Sequence, residues 1–164
     1  MEFYEDMANA FKTLSEQGAF LTVKNQAGKV NTMTISWGYI GFSWNKPHFI
    51  AMVRPQRYTH EVLITADSYT ISIPYDDSMK KALAICGSQS GRDIDKEQVA
   101  GIQFVAAQKV SSPIVANCNM YYECKIDYVD QLHPGNLPAN MVVDYYKGDY
   151  HGFYYGEIVA AYKK

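Results

Sequence analysis

Two periods run through the polar and apolar positions of this chain. Phe3, Met7, Ala10, Phe11 and Leu14 recur at helical spacing, so residues 2–17 read as an amphipathic helix, stopped by Gly18, that covers part of a sheet. Residues 20–24 and 29–37 then read as two strands joined by a turn at 25–28. An aromatic and glycine-rich loop is expected at 38–46, followed by a strand at 47–53 that ends at Arg54-Pro55 and a helix at 59–66. The run 68–73 reads as a strand closed by Pro74, and Asp76-Asp77-Ser78 as the capped start of a helix reaching Cys86 with Gly87 as its stop.

Strand period is clearest over 117–129. Cys118, Met120, Tyr122, Cys124, Ile126 and Tyr128 share one face, and Asn117, Asn119, Glu123, Lys125 and Asp127 the other, which predicts one buried and one wet face. The last strand, 151–162, is apolar on both faces and needs cover on both, the second from another subunit. Residues 135–140, with Pro134 and Pro138, form the most loop-like late stretch. Several antiparallel strands and a few short helices indicate a mainly β, barrel-like fold with helical additions.

Composition narrows the partners. A chain of 164 residues, 48% hydrophobic and 20% charged, suits one domain spanning 1–164. A net charge of -2 leaves no electrostatic footprint for nucleic acid or an anionic membrane, which favours a small molecule or another protein chain. There is no run of eighteen apolar residues and the N-terminus is acidic, so a soluble, cytoplasmic protein is expected. The three cysteines, 86, 118 and 124, form no CxxC pair and read as buried free thiols, with no metal site.

Candidate chemistry lies in three segments. In 31–38, Thr32, Thr34 and Ser36 project one way and Met33, Ile35 and Trp37 the other, giving either a row of hydroxyls able to follow a ribityl chain or phosphate, or an ordinary strand. In 54–61, Arg54, Arg57 and Thr59 stand where a strand turns into a helix, the elements of a phosphate site, or else of a solvated turn that Thr59 caps. In 88–96, Arg92 and Lys96 would face anionic groups if the segment lies over a ligand; its local chemistry favours a surface loop. No GxSxG, HExxH or GxGxxG pattern is present.

The motifs Asn-x-Met-Thr-x-Ser-Trp at 31–37, Arg-x-x-Arg-Tyr-Thr at 54–59 and Ser-Gly-Arg-Asp-x-Asp-Lys at 90–96 resemble, in this order, the flavin reductase-like, FMN-binding split-barrel family, most closely its flavoredoxin-like branch. The resemblance covers most of the chain and leaves 130–150 unmatched. It implies a six-stranded antiparallel Greek-key split β-barrel with peripheral helices, a homodimer, and FMN held noncovalently near the subunit interface. Asn31, Thr32, Met33, Thr34, Ile35, Ser36 and Trp37 would line the isoalloxazine and ribityl, and Arg54, Arg57, Tyr58 and Thr59 would hold the phosphate. Ser90, Gly91, Arg92, Asp93 and Lys96 would close the other side, and His133 would either reach the ring or remain a solvated loop histidine.

The activity so implied is an FMN-dependent oxidoreductase passing electrons from NAD(P)H or a protein donor to free flavin, ferric iron or an electron-transfer partner. The alternatives are an FMN-binding carrier or sensor without turnover, and a plain interaction barrel. With the flavin carrying the redox step, the protein needs no nucleophile or catalytic residue of its own.

Overall fold

The structure, a computed structural model, describes Tyr4 and residues 6–164; Phe3 and the start of the expected first helix lie outside the described residues. The first helix, α1 (Met7–Glu16), turns at Gly18, whose φ of 92° suits glycine, into β1 (Ala19–Lys24). A side chain at Gly18 would also crowd the Ile35 carbonyl oxygen at 2.7 Å. Then follow β2 (Val30–Ile35), β3 (Gly38–Ser43), β4 (Lys46–Val53), α2 (Tyr58–Leu63) and β5 (Ser68–Ile73). Helices α3 (Lys80–Ser88) and α4 (Lys96–Ala100) precede the short pair β6 (Phe104–Val105) and β7 (Ile114–Val115). The chain ends in β8 (Met120–Gln131), α5 (Ala139–Tyr145) and β9 (Gly152–Lys163).

Seven strands form one antiparallel sheet in the order β2-β1-β5-β8-β9-β4-β3, one strand more than the six expected. The additional strand is β3. Residues 38–43 are not the predicted loop but pair with β4 from Gly38↔Ala51 to Ser43↔Lys46, through a two-residue turn in which Trp44 and Asn45 take φ of 50° and 59°. An edge strand needs no buried alternation, so its exposed aromatics conceal it from a hydropathy reading. The two ends of the order, β2 and β3, are joined by Ser36 and Trp37 alone, so the sheet must curl until its ends meet, leaving a seam with no β2–β3 ladder.

The barrel interior is filled by Leu21, Val23, Ile35, Phe49, Tyr69, Ile71, Tyr122 and their neighbours. A second cluster, Phe20, Leu83, Cys86, Ile114, Val115 and Tyr121, lies between the sheet and α3 with the β6–β7 hairpin. That outer layer corrects the expected wet face of 117–129 in its middle: Asn117, Lys125 and Asp127 are exposed as expected, but Glu123 is buried. Asn117 takes φ 63°, the strand starts at Met120, and Met120 to Cys124 are all buried, because the outer layer covers Tyr121 and Glu123. The Glu123 carboxylate accepts from the Gln108 and Lys109 backbone N–H groups at 2.7 and 2.6 Å and from the Tyr162 hydroxyl at 2.7 Å.

Three further boundaries differ from expectation. Gly87 does not stop a helix but lies inside α3, where the absence of a side chain lets the helix approach Thr34; a Cβ there would sit 3.3 Å from the Thr34 Cβ. The loop expected at 135–140 contains a 3₁₀ turn at Pro134–Asn136 and the start of α5. The helix expected at 59–66 is α2, one residue earlier and ending at Leu63. The predicted cap holds, since the Asp76 side chain accepts from the Ser78 N–H at 2.8 Å, and all three cysteines are free and buried.

Candidate functional site

Strand β2, the turn into α2 and the segment 88–96 enclose a first cleft of about 190 Å³. Asn31 on β2 donates from Nδ2 to Thr59 Oγ1 at 2.8 Å, which pins the start of α2 to the strand. Thr59 therefore does not act as the cap of α2; Arg57 occupies that position, and no side chain bonds there. Gly91 lies so close that a Cβ would collide with Asn31 Oδ1 and stand 3.1 Å from the Tyr58 ring, so the loop seats itself only with glycine there. Arg92 is ion-paired with Glu61, and its guanidinium lies 5.0 Å from the Tyr58 ring centre, with Lys29 at 4.9 Å from the same ring. The Tyr58 hydroxyl is buried with no hydrogen-bond partner among the described residues.

Lys96 is the most buried cation of this cleft, only 6% exposed. Its Nζ donates to the Thr32 carbonyl at 2.6 Å and the Cys86 carbonyl at 3.1 Å, tying β2 to the end of α3. Desolvation brings its pKa down to about 8, opposed by the Cys86 thiol and assisted by the charge on Arg57.

A second cleft, also about 190 Å³, shares Met33 and Arg57 with the first, so the two run together along β2. Thr34, Ile35, Ser36, Trp37, Met52, Arg54 and His151 complete its lining. Arg54 is engaged: its Nη2 donates to the Tyr145 carbonyl at 2.8 Å, and it lies over the Tyr146 ring at 5.1 Å. Arg57, half-buried at the junction, has no carboxylate or hydrogen-bond partner for its guanidinium among the described residues. Burial and the charge of Arg54 both push its pKa down, the signature of a cation lacking its anion. Together the clefts reach the lower range of cofactor sites, roughly 300–1,000 Å³.

His151 was not singled out by the sequence. It is buried, its Nδ1 lies 2.8 Å from the Tyr146 hydroxyl, and its ring is 5.3 Å from Trp37. Burial first, then the positive charge of Arg54, lowers its pKa to about 4, so it is neutral at pH 7. A lone polar ring at the start of an otherwise apolar strand was the available signal. Gln56, Gln89 and Met52 also line the groove, with no pattern to announce them.

The structure thus gathers Asn31, Met33, Arg57, Tyr58, Thr59, Ser90, Gly91, Arg92 and Lys96 in one cleft, and Met33, Thr34, Ile35, Ser36, Trp37, Arg54 and Arg57 in the other. The expected row of hydroxyls is largely committed to the scaffold. Thr32 is buried and donates to the Leu21 carbonyl at 3.1 Å while accepting from Thr22 at 2.9 Å, and Thr34 donates to the Leu83 carbonyl at 2.6 Å. Asp93 is exposed and lines neither cleft; its N–H closes a turn on the Ser90 carbonyl at 3.0 Å. His133 lines neither cleft, its side chain 71% exposed and 3.8 Å from Asp130.

The sheet curls into a barrel with a cationic groove at its seam, and comparison with known proteins gives that fold its family. The flavin reductase like domain matches residues 11–164. Flavoredoxin of Desulfovibrio vulgaris (Miyazaki F) superposes with a TM-score of 0.70 at 21% identity, over 90% of this chain and 69% of that one. An FMN-binding protein from Thermus thermophilus, with bound 1-cyclohex-2-enone, gives a TM-score of 0.68 at 25% identity, over 88% of this chain and 68% of that one. An uncharacterized protein of Archaeoglobus fulgidus is 24% identical over 98 residues, 60% of this chain and 54% of that relative's length. The chain belongs to the flavin reductase-like family.

Proposed function

We propose that the groove holds FMN and that the protein is a flavin-dependent oxidoreductase, folded as one domain over 1–164. The observation that carries this reading is Arg57, a half-buried guanidinium beside a second arginine with no anion of its own. The buried Tyr58 hydroxyl, without a hydrogen-bond partner among the described residues, and the glycine-lined approach at 91 fit the same group. Arg57 and Lys96, with the free N–H groups at the start of α2, hold the phosphate; Met33, Ser36 and Trp37 form the wall at the ring end, beside a neutral His151. Arg54 contributes field and holds Tyr145 near Trp37, whose rings meet edge-on at 5.6 Å.

A flavin bound there supplies the acceptance and release of hydride or single electrons. The chain's residues fix its phosphate end, bury one face against β2 and leave the Trp37 side open to a second reactant, for which we assign NAD(P)H as donor and a small molecule or protein as acceptor. The neighbours' names, flavoredoxin and FMN-binding protein, support FMN as the flavin. We also assign the protein to the cytoplasm and to a homodimer, through the exposed pair Trp44 and Tyr128.

The test compares FMN with riboflavin, which lacks the phosphate. Arg57→Ala should weaken FMN roughly 10- to 100-fold, the range of a charge-assisted hydrogen bond, and riboflavin by less than about twofold. Equal weakening of both ligands removes the phosphate assignment. Rapid bleaching of the FMN complex by NADH or NADPH supports turnover; bleaching by dithionite alone makes the protein a carrier.

A further inference from the structure

The ring end of the groove does not stop at Trp37. A third cleft, of about 270 Å³, shares Ser36, Trp37 and Met52 with it and continues over Phe11, Leu14 and Tyr39. Of five clefts among the described residues, it alone has no Lys, Arg, Asp or Glu in its lining. Its floor is firm, with Leu14 and Met52 buried, while Phe11 and Tyr39 stand 57% and 54% exposed as two walls and Trp37 divides it from the cationic groove.

Volume and polarity together select an occupant. A dry apolar cavity of about 150 Å³ accepts benzene, so this larger recess accommodates one substituted ring. A charged molecule would have to shed water with no opposite charge in the lining to receive it. We infer that this shelf is the docking site of the electron acceptor, an uncharged single-ring aromatic molecule held beside the ring end of the groove. The assignment rests on the flavin reading only for what lies on the other side of Trp37; the shelf itself is made by α1, β3 and β4.

The test uses benzamide and benzoate, nearly the same shape with and without charge, titrated into the FMN-loaded protein and into the protein without flavin, with the methyl NMR signals of Met52 and Met33 as reporters. Benzamide should move the Met52 signal and bind at least about tenfold tighter than benzoate to the loaded protein. Phe11→Ala and Tyr39→Ala remove exposed walls, so the fold is kept; each should weaken benzamide about tenfold, the effect of losing one aromatic contact surface. FMN affinity, read from quenching of flavin fluorescence, should be unchanged in both variants. Equal affinity for the two probes, indifference of benzamide to both substitutions, or an equal loss of FMN and benzamide affinity would each overturn the assignment. If the unaltered protein fails to quench flavin, the flavin reading falls by that result, while the shelf is decided by benzamide alone.

Discussion

Lys96 shows how one side chain can couple the ligand to the scaffold. Its ammonium is buried, shared between the Thr32 and Cys86 carbonyls, and faces Arg57 across the cleft. An anion placed between them relieves the repulsion and favours the protonated form. Affinity for FMN should therefore fall as pH rises through about 8, and the fall should move to higher pH in the complex. Stability without ligand has the opposite sign. A lysine ordinarily releases its proton near 10.5, so between about 8 and 10.5 the unfolded chain holds more protons than the folded one, and stability should rise with pH across that window. Isothermal titration and thermal melting across pH 7–10 check both slopes, and Lys96→Met should flatten both. A pH-independent FMN affinity in the unaltered protein would count against a phosphate contact at Lys96.

Residues with a partner distant in sequence were the least legible. Arg57, Thr59 and Lys96 stood in recognisable motifs, and the structure brings them together. Thr32 and Thr34 stood in the same motif, yet their hydroxyls serve the strand and α3, because only the packing of α3 decides which side of β2 is dry. Arg54 and Arg57 look equivalent in sequence and differ because Arg54 meets α5, a helix that no periodicity announced.

At the scale of elements, one local helix signal held and two failed, Gly87 as a stop and Thr59 as a cap, and strands whose environment changes along their length were read least well. Asp76 caps where it should. Strand β8 passes from a doubly covered half into an exposed half, so no single alternation describes it, and Glu123 seemed to be a surface residue. It is instead the anchor of residues 108–109, holding two backbone N–H groups and the Tyr162 hydroxyl on the outer face of the sheet. Replacing it with glutamine keeps the shape but removes the charge and one acceptor. Glu123→Gln should destabilise the fold by about 1–3 kcal/mol, measured by urea denaturation. Neutral behaviour would mean that solvent replaces those bonds freely.

For the whole molecule, the open question is what covers the far side of the sheet. In β9 one face is buried and the other, with Phe153, Tyr155 and Val159, is half-covered, in part by Trp44 and Tyr128 stacked against Tyr155 at 5.9 and 5.1 Å. The expectation that a strand apolar on both faces needs a second cover is thus partly met within the chain, and a partner subunit would complete it. Sedimentation should give a dimer, and Tyr128→Glu, on the Tyr155 face and 45% exposed in the single chain, should shift it toward monomer. A monomer for the unaltered protein at micromolar concentration would refute the assignment.

The seam between β2 and β3 has a consequence for how the barrel is closed. Every strand between the two ends of the order has a ladder on both sides, whereas β2 and β3 each keep one edge without a strand partner among the described residues, and Lys96 reaches that edge of β2 at the Thr32 carbonyl. The gap in the ring of staves is the same place as the groove. A planar heterocycle lodged there would stand where an eighth strand would otherwise run, taking part of the shape, and some of the hydrogen bonding, that the chain leaves out. In that geometry the ligand is a missing piece of the wall, and loading the barrel and closing it become one event.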